Sequence, residues 1–521
     1  MAVPLVVALA LSGWNSAGES LKLENHAKPR GLSPSVPPEI HSEVGDSSAG
    51  CDGRLRLVNI GKRQQYDWRD RVTLDTDIYS PKSASFHPDG KRCYVNSLEG
   101  CKTVVYAIPG LEKTAVIEHR FQTPNDSLWA SPSGYYPHTH YPGGASRPFS
   151  GKPVEGVFSH SGRYFWVPYY RRTFDINAQD PSAVAVIDTD GDSIVRMFES
   201  GPLPKMVAYS EAASLVAITH WGDNTVGLID VSSPQPAQWR HLEPLVAGSK
   251  LVLDFPLDKE VDRDAVSGHK LRGTVFTPDG RYLFVGAMGG AMHVFDIPRH
   301  RYAGHVDSAY GIRHLVISGG VLYGSQNIAA SVVSIPLDSL TAAIAVATSD
   351  NSRKIAAKGW RVCKVGNGAR TLEASPDGEF LFVACNSASE VCVVDAATMS
   401  VVDRVRVDSY PVGLAVSGDG EYMAVTSQGR NRIGGNALNL FRILRPDKPL
   451  VDSIIETEAD HGSPDNEPYA FQKDEAKEVM ARDSTLVYLT AIAVAVIAVV
   501  SVLLFVIRRR ARRRDDDCEN G

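Results

Sequence analysis

The stretch TLEASPDGEFLFVACNSASEVCVVDAATMSVVDRVRV, residues 371–407, carries the pattern that decides the fold. A short apolar run leads into a Pro-Asp-Gly turn, followed by an aromatic and apolar run, a polar turn and a third apolar run that ends in Asp. Proline presets φ and glycine accepts the reversed backbone conformation, so Pro-Asp-Gly is a turn signal. The intervening runs are rich in Val, Phe and other strand-forming residues. The stretch therefore predicts one sheet of four short antiparallel strands.

The same pattern recurs six more times along the chain. The other copies are residues 84–108, 157–188, 206–230, 273–306, 314–335 and 413–443. Repeats of about 40 residues are typical of proteins in which one sheet cannot bury both its faces alone. Sheets stacked around an axis do bury them, and closing the ring leaves few exposed edges. We expect an all-β, seven-bladed β-propeller of four-stranded antiparallel blades over residues 51–455.

The segment SPDGEFLFVACNSASEVCVVDAATMSVVDRV, residues 375–405, resembles the YVTN-type repeat of YncE-like propellers. The resemblance covers roughly residues 80–455, and it implies that the first strand of each blade lines a central channel. Relatives on this scaffold include extracytoplasmic binding proteins, surface-layer proteins, lactonase-like enzymes and haem-binding oxidoreductase domains, so fold does not decide function. The chain has no C-x-x-C-H haem-attachment motif, and we expect no cofactor.

The C-terminal part of the chain predicts a membrane anchor. Residues 486–507 are 22 residues without a charge, and six arginines follow within residues 508–514. About 20 apolar residues cross a bilayer as a helix, and arginine clusters stay on the cytoplasmic side. We expect a transmembrane helix at 484–507, a basic cytoplasmic tail at 508–521 and single-pass type I topology. The propeller would then lie on the extracytoplasmic, cell-surface side.

The flanking segments are consistent with this orientation. Residues 1–18 combine a short apolar run with small residues after it, which predicts a signal peptide. Residues 19–50 are predicted as a flexible lead-in and residues 456–483 as an acidic stalk. The net charge of −6 argues against nucleic acid as a partner.

The sequence does not determine which cysteines, if any, are joined by disulfides. Cys518 lies in the predicted tail, and the other six lie on the predicted oxidising side, where disulfides form. Cys93 with Cys101, and Cys385 with Cys392, flank predicted hairpin turns. Cross-strand disulfides and buried free thiols both remain open.

Basic residues precede the first strand in four blades. They are Lys205, Arg272, Arg313 and Arg370, and the ring would bring them to the channel mouth. The loops expected at the same mouth carry further cations and aromatic residues: Tyr169, Tyr170, Arg171, Arg172, His220, Trp221, Asn224, His314 and Arg430. Converging arginines hold carboxylate or phosphate groups. The alternative is that these side chains brace the loops by bonding backbone carbonyls.

Three functions are compatible with these residues. The leading hypothesis is a binding module that takes an anionic small molecule, a glycan or a protein at the channel mouth. A second is a lactonase-like or other hydrolase that uses Glu155, His220 and Asp223, with Glu155 as general base or as the ion-pair partner of Arg171 or Arg172. A third is a surface-layer or adhesive structural protein.

No metal site is predicted with any specificity. His138 and His140 lie in PHTHY, where residues two apart in a strand point the same way. They are weak metal-ligand candidates that would need His160 or His220 as a third ligand.

Overall fold

The computed structural model describes residues 40–50, 53–65, 73–121, 127–144, 147–263, 265–266, 268–429 and 436–445. The predicted signal peptide, stalk, transmembrane helix and cytoplasmic tail lie outside these residues, and so does Arg430. Among the described residues, no helix has both the length and the apolar character needed to span a bilayer.

Seven antiparallel sheets make up the described structure, which confirms the seven-bladed propeller of four-stranded blades. Blade 1 contains β2 (Pro81–Phe86), β3 (Arg92–Ser97), β4 (Lys102–Ala107) and β5 (Lys113–Glu118). Blade 2 contains β8 (Val157–Ser159), β9 (Tyr164–Arg172), β10 (Ser182–Asp188) and β11 (Ser193–Ser200). Blade 2 is extended past β9 by β7 (Phe149–Pro153) and β6 (Arg120–Phe121).

Blades 3 to 6 follow in chain order with four strands each. Blades 3 and 4 contain β12 (Pro204–Ser210), β13 (Leu215–His220), β14 (Thr225–Asp230), β15 (Arg240–Val246), β16 (Leu271–Phe276), β17 (Tyr282–Ala287), β18 (Ala291–Asp296) and β19 (Arg301–Tyr310). Blades 5 and 6 contain β20 (Ile312–Ser318), β21 (Val321–Gln326), β22 (Ser331–Pro336), β23 (Arg361–Lys364), β24 (Ala369–Ala374), β25 (Phe380–Cys385), β26 (Glu390–Asp395) and β27 (Ser400–Arg406).

Blade 7 is built from both ends of the propeller. Its inner strands are β28 (Pro411–Val416), β29 (Tyr422–Ser427) and β30 (Ala437–Leu444), and its outermost strand is β1 (Arg56–Gln64). β1 runs antiparallel to β30, so the ring is closed by backbone hydrogen bonds between distant parts of the chain. The inner strand β28 also contacts β2 of blade 1.

The described part of the predicted lead-in belongs to this closure. The amide of Ser409 donates to the carbonyl of Ile40 at 2.8 Å, and Ser47 forms a β-bridge with Val58. The propeller therefore includes residues on the N-terminal side of position 51.

Apolar side chains fill the seams between neighbouring blades. Seven apolar clusters lie between the seven adjacent pairs of blades, including the pair formed by blades 7 and 1. Between blades 2 and 3, for example, Trp166 stacks on Trp239 at a centroid distance of 5.2 Å. Stacking around the axis thus buries both faces of every sheet, as the repeat predicts.

The Pro-Asp-Gly turns form as expected. In the β16–β17 turn, Oδ1 of Asp279 accepts hydrogen bonds from Oγ1 of Thr277 at 2.5 Å and from the amide of Arg281 at 3.0 Å. Gly280 follows with φ of +70°, the conformation that glycine adopts without strain. The carboxylate and the glycine together fix a tight reversal between the first and second strands.

One long insertion contains the single α-helix of the described chain. Helix α1 (Leu337–Ser349) precedes β23 and buries Leu340 and Ile344 against the seam between blades 4 and 5. The insertion therefore adds to the core on the outside of the ring.

A buried ion pair joins the two ends of the propeller in blade 7. Nζ of Lys62, on β1, lies 3.0 Å from Oδ1 of Asp408, and both side chains are almost fully buried. Lys62 also donates to the carbonyl of Ser42 at 2.8 Å, and Nδ2 of Asn439 donates to Oδ2 of Asp408 at 2.6 Å. We call Lys62, Asp408, Asn439 and Ser42 the closure cluster.

Asp408→Ala is expected to lower the free energy of unfolding by about 3–5 kcal/mol, because it leaves the Lys62 ammonium buried without its partner. Chemical denaturation of the two proteins measures the difference. The double variant Lys62→Met/Asp408→Ala should recover part of the loss, since it removes the uncompensated charge. As a control, Asp307→Asn breaks the exposed 2.8 Å pair with Lys354 and should change stability little. Equal effects of Asp408→Ala and Asp307→Asn would contradict the role of the closure cluster.

Candidate functional site

The inner strands share a β-bulge close to their first residue. In blade 1, Pro81 pairs with Ser97 and Ser83 pairs with Asn96, so Lys82 is an extra residue between two ladder positions. The same shift occurs at the start of β12, β16, β20, β24 and β28, and between β7 and β8 in blade 2. A bulge breaks the alternation of the strand and redirects a side chain.

These bulges define a set of seven equivalent positions, which we call the central ring. The ring consists of Lys82, Glu155, Lys205, Arg272, Arg313, Arg370 and Val412. Five of these residues are basic, one is acidic and one is apolar. The structure thus brings together the four basic residues predicted from the sequence and adds Lys82.

Hydrogen bonds between neighbouring blades hold the backbone of the central ring. Oγ1 of Thr219 donates to the carbonyl of Arg272 at 2.9 Å, and Oγ1 of Thr371 donates to the carbonyl of Val412 at 2.8 Å. Nδ2 of Asn96 donates to the carbonyl of Val154 at 2.6 Å, beside Glu155. Each blade therefore positions the ring residue of the next blade.

Glu155 is the acidic centre of the ring. Its Oε1 lies 3.2 Å from Nη2 of Arg272, which belongs to blade 4, so the ion pair joins two non-adjacent blades. The expectation that Glu155 pairs with Arg171 or Arg172 is wrong. Both arginines lie at the far end of β9, and their side chains contact other groups. Burial alone would raise the pKa of Glu155, but the charges of Lys82, Arg272 and Arg370 outweigh it and lower the pKa to about 2.

The cations of the ring oppose one another. Burial lowers the pKa of Lys82 well below its usual value, and the charge of Arg370 adds to that effect while Glu155 acts against it. Burial likewise lowers the pKa of Arg313, together with the charges of Arg272 and Arg370. Four basic side chains therefore share the carboxylate of Glu155.

Two polar atoms in this group have no hydrogen-bond partner among the described residues. They are Oε2 of Glu155 and Nε of Arg313, and both are buried. The nearest polar contact of Arg313 is from Nη1 to Sδ of Met288 at 3.7 Å. Unpartnered buried polar atoms are costly, so a set of them beside like charges marks a place where a ligand can supply the missing interactions.

An aromatic wall continues from the ring through blade 3. Nζ of Lys205 lies 4.0 Å from the ring centroid of Tyr170 and 5.0 Å from that of Trp221. Cζ of Arg272 lies 5.8 Å from the same Trp221 ring. Trp221 is buried and packs against Leu203, so it forms a fixed apolar surface beside the basic side chains.

A pocket of about 330 Å³ adjoins this wall. It lies between the loop that follows β9 and the long insertion after β15, and Tyr170, Arg171, Asn177, Leu203, Glu260 and Arg263 line it. Asn177 fastens the insertion, because its Nδ2 donates to the carbonyls of Pro256 and Lys259 at 2.6 and 2.9 Å. Arg171 donates to the carbonyl of Ile176 and lies 3.5 Å from Glu260.

Two predicted site residues are interior supports. The Tyr169 ring is fully buried between blades 1 and 2, and its hydroxyl lies 2.9 Å from Nδ1 of His119. Nη1 of Arg172 donates to the carbonyl of Gly144 at 2.6 Å, and its guanidinium lies over Trp129. Arg172 thus bonds backbone carbonyls, as the bracing alternative expects, whereas Tyr169 contacts a histidine side chain.

His220 and Asp223 also act within the scaffold. The amide of Gly201 donates to Nε2 of His220 at 3.1 Å, and Nδ1 lies 2.7 Å from Oγ1 of Thr225. Thr225 in turn donates to Asp223 at 2.7 Å. Burial lowers the pKa of His220 to about 3 and raises that of Asp223 to about 6. Among the described residues, no hydrogen bond or ion pair joins either side chain to Glu155.

Two further predicted residues lie beside the site. Asn224 accepts a hydrogen bond from the amide of His269 at 2.8 Å and donates to the carbonyl of Ser249, so it braces the insertion. His314 follows Arg313 in the channel, and its Nδ1 has no partner among the described residues. Burial lowers the pKa of His314 to about 4.

The two histidines of PHTHY meet at a carboxylate. Nδ1 of His140 lies 2.8 Å from Oδ1 of Asp180, and Nδ1 of His138 lies 3.8 Å from Oδ2. The two candidate third ligands make other contacts. His160 stacks on Trp239 at a centroid distance of 5.1 Å, and the side chain of His220 is hydrogen-bonded in blade 3. The arrangement is a cluster of side-chain contacts around the carboxylate of Asp180.

Lys82 is the ring residue that the sequence comparison missed. In the first copy, the repeat pattern begins at residue 84, two residues after Lys82. The dipeptide Pro81-Lys82 matches Pro204-Lys205 at the start of blade 3, and this match was the available signal.

The fold and the central ring define a seven-bladed β-propeller with a basic channel. No protein-family model matches the chain, and no curated protein sequence matches it. Among solved structures, a chain of Kuenenia stuttgartiensis hydrazine synthase is similar at 12% sequence identity and a TM-score of 0.48. That match covers 72% of this chain and 99% of the other.

Glu155→Gln is expected to lower the free energy of unfolding at pH 7 by about 3 kcal/mol, because it leaves buried cations without their counter-charge. The lowered pKa of Glu155 means that its contribution is complete above pH 4.5 and disappears as the pH falls towards 2. Denaturation curves between pH 7 and 2 should show the two proteins converging in acid. The exposed Glu211→Gln serves as control, and a difference that does not depend on pH would contradict the assignment.

Proposed function

We propose that this protein is a membrane-tethered, extracytoplasmic β-propeller that binds an anionic small molecule in its central channel. The observation that carries the proposal is the convergence of Lys82, Arg272, Arg313 and Arg370 around the one carboxylate of Glu155. An anion placed there would neutralise charges that otherwise repel one another.

Loop bracing does not account for this group of side chains. Arg370 does brace the scaffold, since its Nε donates to the carbonyl of Val412 at 3.2 Å. Lys82 and Arg313, by contrast, make no hydrogen bond to a backbone carbonyl within the described residues. Their proximity to other cations costs stability, and a bound anion would offset that cost.

The chemistry of the ligand follows from the donors. Guanidinium groups bind carboxylate and phosphate with paired hydrogen bonds, and a lysine adds a point charge. The wall formed by Tyr170 and Trp221 would support a flat or apolar body attached to the anionic group. We therefore propose a small organic carboxylate or phosphate, in preference to a glycan or a protein.

The family and the location are proposed on the sequence alone. The repeat in residues 375–405 supports membership of the YVTN-type, YncE-like propellers, and the uncharged run at 486–507 supports a single membrane span. The hydrolase alternative would need His220 and Asp223 beside Glu155, and no described contact favours it.

Lys82→Met and Arg313→Met are each expected to weaken binding of a small dicarboxylate or organic phosphate by roughly tenfold or more, because each removes a charge-assisted contact. Isothermal titration of a panel of such anions, with neutral sugars for comparison, measures the affinities at low salt. Added salt should weaken binding in the wild type.

The matched control is Arg370→Met, which also removes a brace. The Lys82 and Arg313 variants should melt at or above the wild-type temperature because they relieve repulsion, whereas Arg370→Met should melt lower. The exposed Arg240→Ala should change neither quantity. Unchanged anion affinity in both ring variants, or no binding of any anion by the wild type, would refute the proposal.

The full chain is expected to sediment with membranes and to resist extraction by salt or carbonate, while a chain ending at residue 483 should be released. Type I topology predicts that a membrane-impermeant maleimide labels Cys518 only after the membrane is permeabilised. The labelling is done in a Cys51→Ser chain. Adding Cys518→Ser to that chain gives the background signal. Labelling of Cys518 in intact cells would reverse the proposed orientation.

A further inference from the structure

Two cysteines and a glutamate converge at the β25–β26 turn of blade 6. Sγ of Cys385 lies 3.7 Å from Sγ of Cys392, and Sγ of Cys392 lies 3.4 Å from Oε1 of Glu390. Cys385 pairs directly with Glu390 across the two strands, and Cys392 is two residues further along β26. Alternation places all three side chains on the same face of the blade.

We propose that Cys385, Cys392 and Glu390 form a zinc site that is separate from the central ring. Their ligand atoms all lie within 4.8 Å of one another. Two sulfurs bound to one tetrahedral Zn²⁺ at about 2.3 Å lie about 3.8 Å apart, and a sulfur and an oxygen ligand lie about 3.5 Å apart. The two separations in the structure match both values.

A cationic group already lies among these atoms. Nη1 of Arg404, on β27, is 2.5 Å from Oε1 of Glu390 and 3.0 Å from Sγ of Cys392. The arginine thus supplies positive charge between the carboxylate and the sulfur, which is where a metal ion would bind. Its side chain is about half exposed, so it can move outwards and let the ion in.

Contact between two buried thiols would by itself explain the sulfur separation. The carboxylate of Glu390 forms an ion pair with Arg404 at 2.5 Å, so an ion would have to displace the guanidinium. A third cysteine, Cys363 on β23, belongs to the same apolar cluster but not to the group of ligand atoms that lie within 4.8 Å of one another. Soft thiolate ligands with one carboxylate favour zinc over calcium or magnesium.

The backbone packs closely around the three side chains. A side chain at Gly366 would approach Sγ of Cys385 within 3.0 Å and would collide with Glu390, so the backbone of the β23–β24 connection encloses the site on one side. Glu390 is partly exposed while both sulfurs are buried, so the ion would enter past the carboxylate.

The test uses the full-length protein, reduced under anaerobic conditions and titrated with Co²⁺ and then Zn²⁺. The wild type should bind about one Co²⁺ and show the near-ultraviolet thiolate charge-transfer band and the visible bands of a tetrahedral site, which Zn²⁺ should abolish. Cys392→Ser should remove most of the charge-transfer band. Glu390→Gln should lower affinity by roughly tenfold or more while leaving the thiolate band in place.

Two variants separate this site from a merely structural cluster. Arg404→Ala should raise the affinity for Co²⁺ several-fold, because it removes the competing cation, whereas a packing role predicts only lost stability. Cys93→Ser, which removes a buried cysteine in blade 1, should leave the spectrum unchanged. A Cys385–Cys392 disulfide that persists under reduction, or a reduced wild type with no thiolate band, would overturn the proposal. Neither outcome depends on anion binding in the central ring.

Discussion

The channel depends on one extra residue near the start of each inner strand. In a regular strand, successive side chains point to the two faces of the blade, and both faces are buried in apolar seams. The bulge takes a single residue out of this alternation, so a lysine or arginine can leave the seam. It also disturbs the ladder, and groups such as Thr219 and Thr371 from the neighbouring blade bond the local carbonyls. The direction of each ring side chain is therefore set jointly by two blades.

Blade 7 indicates that charge at this position is not required by the fold. Val412 occupies the ring position there, and the β28 bulge forms as in the other blades. An apolar residue is thus compatible with the bulge, the seam and the closure of the ring. Selection for stability alone would favour such residues, because buried like charges oppose one another. Lys82 and Arg313, which make no hydrogen bond to a backbone carbonyl within the described residues, then need a reason other than folding, and neutralisation by an anionic ligand is one.

The repeat pattern was sufficient to predict the blades, because Pro-Asp-Gly turns and strand-forming runs act locally. Closure of the ring was not predictable, since β1 pairs with β30 across most of the chain and carries no local signal for that partner. The same limit applies to Glu155. Its neighbours in sequence suggested Arg171 or Arg172, but the ring geometry selects Arg272 from two blades away. The Pro-Lys dipeptide that contains Lys82 is a local signal for this position, but it lies just before the first residue of the repeat.

Residue types alone also do not show which contacts the loop after β13 makes. His220 and Asp223 have the composition of a catalytic site, yet the side-chain hydrogen bonds described for them end on Gly201 and Thr225. Buried polar atoms without a partner also occur in the scaffold, Nε of Arg172 among them, so they indicate a binding site only where they lie beside converging charges. An unmet buried hydrogen bond costs about 1–3 kcal/mol, so a fold retains few of them without compensation. Among the described residues, Oε2 of Glu155 and Nε of Arg313 are in that state, and a ligand that pairs with both would recover the cost.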